Sequence, residues 1–183
     1  MSFLSRSSYS TPPGNLCELL LRDVASLLVT SRIISHHLLD LRPQCEFSGE
    51  LTATLDSIVA LSRDGESRLQ PALDEAGATL PETTDALTGA LLADFFTRIP
   101  VAAAPGTLAA EVAVNLRLLA QHLGLKALLA AEEAVLVGQN RLSGVLLNWS
   151  SEWRACGQTL RAATVRARAQ AYVADLPAAG QPG

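Results

Sequence analysis

Few residues in this 183-residue chain have side chains suited to acid–base, nucleophilic or metal chemistry, and they lie far apart. His122 sits alone in an apolar run, where a histidine is ordinarily a hydrogen-bonded structural residue. Cys17, Cys45 and Cys156 are odd in number and form no C-x-x-C pair, a pattern of reduced cytosolic thiols rather than a disulfide frame. There is no Gly-rich phosphate loop. Trp149 and Trp153, four apart, could stack a ligand, although such a pair is ordinarily core or interface. Arg161, Arg166 and Arg168 give the last apolar pattern a basic end. Cations there stabilise a helix C-terminus. The same patch is also the candidate for nucleic-acid contact. No complete catalytic or metal-binding motif emerges.

Composition sets the frame. The chain is 49% hydrophobic and 17% charged, against a usual charged share of about 25%. One bundle would struggle to hide that much apolar surface, so part of it is expected to face another copy of the protein. A net charge of −4 makes the whole molecule no electrostatic magnet for nucleic acid. No uncharged run approaches the roughly 20 residues of a membrane span, and no signal peptide is evident. A cytoplasmic homo-oligomer is expected, with no membrane partner.

The elements that must position these residues read as helices, since Leu and Ala dominate over β-branched and aromatic residues. Residues 1–14 form a polar leader, 15–174 a helical domain and 175–183 a tail. Asn15 with Glu18 resembles a capping box. From there Leu20, Val24, Leu27, Ser31, Ile34, Leu38 and Leu41 make the seam of a packed helix ending at Pro43. Ser48 can cap a second helix carrying Leu51, Leu55, Ile58 and Leu61, which Pro71 should kink or interrupt. Gly65, between Asp64 and Glu66, reads as a solvated turn of that helix. Pro81 suits the first turn of a short helix over about 82–98.

Thr107 to Gly138 is the central stretch, roughly 45 Å long if helical. Leu108, Val112, Leu116, Leu119 and Leu123 form one stripe, and Val114, Leu118, Leu125, Leu128 and Leu129 a second. A helix so apolar is expected to have neighbours on more than one side. Asn140 or Ser143 caps the last helix, whose buried face holds Leu142, Leu146, Trp149, Trp153 and Leu160. The fold class is therefore all-α, with four long helices and a short extra helix in the second-to-third connection.

That pattern resembles the ferritin-like superfamily, within it the Dps-like mini-ferritins, and nearly as well the YciE/YciF type. The likeness covers about 16–162. It rests on Leu28 to Leu39 with His36-His37, on the short helix at 82–98, and on Gly144 to Ala162 ending in Thr159-Leu160-Arg161-Ala162. It implies a ferritin-like four-helix bundle with one long crossover, a cage-forming subunit, iron as metal and contact with DNA.

The chemistry carries over only in part. No Glu has a His three residues on, so the Glu-x-x-His pair of di-iron bundles is missing. His36 matches the first histidine of the mini-ferritin centre, and nothing near Phe47 and Ser48 supplies the second. Asp64 matches the aspartate of its Asp-x-x-x-Glu, but Arg68 stands where the Glu belongs, and for Asp56 the position is Ala60. A guanidinium that never loses its proton repels a cation. The resemblance thus implies a non-catalytic assembly protein, with no cofactor, as a stress or DNA-protective subunit. An iron-handling alternative would use His36, His37, Asp40, Asp56 and Asp64. A third reading is a partner- or small-molecule-binding module built on Trp149, Trp153 and His122.

Overall fold

A computed structural model describes residues 14–45, 48–75, 85–98 and 105–175. Within them every element is helical and there is no strand. The order is α1 (Leu16–Leu41), a 3-10 turn (Arg42–Cys45), α2 (Gly49–Glu75), α3 (Ala86–Arg98), α4 (Pro105–Leu136) and α5 (Asn140–Asp175). Apart from Gly14 and Asp175, the leader and tail expected from the sequence lie outside the described residues.

The helix ends follow from local chemistry. Asn15 Oδ1 accepts the Glu18 N–H at 3.0 Å, and Glu18 reaches back to the Gly14 N–H at 2.5 Å. That satisfies donors left without a partner at the start of α1. Ser48 Oγ accepts the Leu51 N–H at 3.3 Å and caps α2. α4 opens at Pro105, two residues before the expected Thr107 cap. Proline at a first helical position forgoes only an N–H that has no intrahelical partner. α4 stops where Gly138 takes φ +79°, and Gln139 N–H bonds the Ala134 carbonyl at 2.7 Å. That left-handed turn is one glycine adopts without strain.

Side-chain contacts fix the helix directions. Arg42 bonds Asp56 and Arg32 bonds Glu66, so α1 and α2 are antiparallel. Glu50 meets Arg166 and Arg68 meets Glu152, so α2 and α5 are antiparallel. Ser150 bonds the Gly124 carbonyl while Gly157 lies beside Gln121, so α4 and α5 are antiparallel. α1 packs on α2 and α4, and α5 packs on the same two. α2 and α4 therefore run the same way, and the chain between them must travel the length of the bundle. α3 is part of that return. Its start meets Ser26 of α1 and Lys126 of α4, and Phe96 near its end meets His37 of α1. Among the described residues no helix is long and apolar enough to cross a membrane.

The core draws on every helix. The whole seam expected of α1 is buried, and so are Val112, Leu116, Leu119 and Leu123 of α4 and Leu142, Leu146 and Leu160 of α5. Three expectations need correction. α2 is not interrupted at Pro71 and continues to Glu75. α3 begins at Ala86, later than the expected 82, with Asp85 as its cap, and Pro81 lies outside the described residues. Gly65 is buried, not solvated. A Cβ there would stand 2.4 Å from the Trp149 indole, so the missing side chain is what lets α5 approach α2.

Candidate functional site

The densest polar group in the interior lies where α3 meets α1 and α4. Asp85 is its hub. One carboxylate oxygen accepts the Thr88 N–H at 3.1 Å and caps α3. The other accepts the Thr88 hydroxyl at 2.6 Å, the Ser26 hydroxyl at 3.1 Å and the ammonium of Lys126. Lys126, the only lysine in the chain, also donates to Ser26 Oγ at 3.1 Å. Thr88 Oγ1 is 2.9 Å from His122 Nε2. Since Thr88 spends its proton on the carboxylate, its oxygen accepts from the histidine, which assigns the Nε2–H tautomer.

Electrostatics follow the geometry. Burial alone would raise the Asp85 pKa, but hydrogen bonds from Lys126 and Thr88 outweigh it and hold the carboxyl well below the usual range. Burial, then the Lys126 charge, holds His122 below the ordinary imidazole value, with Asp85 opposing. Serine beside lysine, and threonine beside histidine, are pairings that hydrolytic sites use. Here Ser26 is only 1% exposed, and Lys126 is tied to a carboxylate. The cluster fastens the crossover to the bundle, and its groups satisfy one another.

The other residues singled out in the sequence fall in separate places. His36, His37 and Asp40 share the exposed end of α1, with donor atoms within 4.8 Å of one another. His36 Nδ1 is 3.3 Å from Asp40, and the His37 ring packs 4.4 Å from Phe96. Asp64 does not join them: its carboxylate pairs with Arg68, which turns to Glu152 of α5. Asp56 pairs with Arg42, which lowers its pKa. Arg166 is drawn to Glu50 of α2, while Arg161 and Arg168, seven apart and exposed, share a face of α5. Trp149 and Trp153 are fully buried, edge to face at 6.0 Å. Trp149 donates to the Leu61 carbonyl at 3.2 Å, and the Trp153 N–H has no partner. They are packing residues, Trp149 laid over Gly65 of α2 and Trp153 beside Gly124 of α4.

A cleft of about 620 Å³ opens where α1 begins and α2 ends, lined by Cys17, Leu20, Arg68, Pro71, Arg141 and Leu142. Burial pushes the Cys156 thiol up to about 11 and raises Cys45 as well, so neither is a thiolate near neutral pH. The largest unsatisfied feature is apolar. Leu118, Leu125, Leu129 and Leu136 on the outward face of α4 are 48% to 74% exposed. Leu118, Leu125 and Leu129 of the second stripe read from the sequence lie on this face, while its Val114 and Leu128 are half-buried and Val112, Leu116, Leu119 and Leu123 of the first stripe are buried.

Sequence reading missed Ser26, Asp85, Thr88 and Lys126. Two signals pointed to them: an Asp three residues before a Thr at a helix start, and a lone lysine one turn after His122 on an apolar helix. No protein-family model, curated protein or solved structure matches the chain.

Proposed function

We propose that this chain is a self-associating helical-bundle protein of ferritin-like topology, with a structural rather than a catalytic role. The exposed leucine face of α4 carries the reading. A soluble monomer rarely leaves a contiguous apolar patch of a few hundred Å² uncovered, and this one lies on a chain with few charges. The single long return between α2 and α4 supports the ferritin-like topology. Native mass by light scattering is the test. A dimer or larger assembly across the micromolar range is expected, and a monomer would overturn the reading.

A second reading has one observation behind it. The donors of His36, His37 and Asp40 lie close enough to hold a divalent ion, on the helix end where the family likeness puts its first histidine. Iron handling would then follow, tested by retention and oxidation of Fe(II), with the His36→Ala variant as control. A DNA-protective role rests on the family likeness alone. On that reading the exposed Arg161 and Arg168 would meet phosphate.

A further inference from the structure

The exposed end of α1 carries donors that the fold makes little use of. His36 and Asp40 are 77% and 69% exposed. As an exposed pair one helical turn apart they contribute little to stability. Their placement has a chemical consequence all the same. Residues three and four apart are neighbours on a helix surface. Asp40 is three from His37 and four from His36, so one carboxylate lies across both imidazoles. A donor atom from each of the three lies within 4.8 Å of the other two, and among the described residues this is the group of three such donors that comes so close.

We propose that His36, His37 and Asp40 form a binding site for a late first-row divalent ion, of the nickel, copper and zinc class, complete within one chain. This rests on the cluster of the second reading above, and it names the class of ion that the cluster selects. Two imidazole nitrogens and a carboxylate oxygen are a donor set of intermediate softness. Magnesium and calcium take oxygen ligands. Imidazole suits zinc, copper, nickel and iron, and the general order of affinity puts iron(II) below nickel and copper. Three protein donors with a further position left to water is an arrangement that zinc adopts.

The surroundings favour a cation. Bonds of about 2.1 Å set the donors of one ion roughly 3–4 Å apart, and His36 Nδ1 is already 3.3 Å from the Asp40 carboxylate. The His37 ring rests 4.4 Å from Phe96 of α3, and 5.6 Å from the His36 ring. Being exposed, the three side chains can close the remaining distance without disturbing the core. Arg32 and Arg42, which bracket the cluster in sequence, are both bonded to carboxylates of α2, Arg32 to Glu66 and Arg42 to Asp56. Their charges are thereby offset before they reach the site.

Titration calorimetry of the full chain near neutral pH tests the site, with zinc(II), nickel(II), magnesium(II) and, without oxygen, iron(II). A Cys17→Ser background removes the exposed thiol as a competing ligand. Zinc and nickel are expected to bind at one ion per chain, iron(II) at least about tenfold more weakly, and magnesium not at all. His36→Gln, His37→Gln and Asp40→Asn should each weaken zinc by more than the roughly tenfold that losing an outer partner of a metal ligand costs. Helicity should be unchanged in all three, since the side chains are exposed. Zinc affinity unmoved by any one of the three substitutions would overturn the three-donor site. Iron(II) binding as tight as nickel would overturn the ion class and leave the iron reading standing. No heat with any ion would overturn both.

Discussion

The two sides of α4 solve opposite problems. Toward α1 and α3 it presents Lys126 and His122, and every polar group they meet is matched by another within the chain. Toward solvent it presents Leu118, Leu125, Leu129 and Leu136, each about half or more exposed. An ammonium and an imidazole lie beside the buried leucines, and a second set of leucines stays exposed, where an ordinary surface helix shows one apolar stripe. The inward charges position the crossover. The outward leucines imply a cover supplied from outside the bundle.

Breaking the inner side should have the largest effect. Asp85→Ala removes the cap of α3 and leaves the Lys126 ammonium half-buried without its partner. A loss of about 3 kcal/mol in urea unfolding is expected, and a loss below about 1 kcal/mol would show that the cluster does not anchor α3. The α2–α5 contact gives a reference of a different kind, made of shape alone. Gly65→Ala drives a methyl into the Trp149 indole, and overpacking of this sort costs about 1–3 kcal/mol. Unchanged stability would mean that Trp149 has space to retreat.

Acid sharpens the comparison, because the inner side holds the two groups of the cluster whose pKa values are depressed, His122 and Asp85. The folded pKa of His122 lies below its ordinary value of 6.5, so the stability it confers is full above that pH and drains as pH falls through it. Asp85 is also depressed, from 3.8, and its contribution drains below about pH 4. The urea midpoint should therefore fall in two stages from pH 7.5 to 3. His122→Gln should erase the upper stage only. A single stage near pH 4 in the unsubstituted protein would contradict the assignment of His122.

Much of the fold was legible because it rests on periodicity. The seven-residue seam of α1 and the first stripe of α4 follow from spacing alone, and Asn15, Ser48 and Gly138 mark ends through local hydrogen bonds and backbone conformation. The junctions were harder. Gly65 reads as solvated until Trp149, 84 residues away, is laid over it. Ser26, Asp85 and Lys126 come from three helices, and nothing local links them. The second stripe of α4 reads as buried, since a leucine that meets another helix of its own chain has the same spacing as one that meets a second copy.

The outer side should show the smallest effect on folding and the plainest effect on mass. Leu125→Glu places a charge in the middle of the exposed leucines without touching the core, so the stability of the single chain's fold, apart from that added by assembly, should change by no more than about 0.5 kcal/mol. Light scattering of unsubstituted protein and Leu125→Glu, matched for helicity, tests the central claim most directly. A dimer or multiple of it for the first and a smaller assembly or monomer for the second is the expected result. An unsubstituted monomer, or an assembly indifferent to the substitution, would contradict the account.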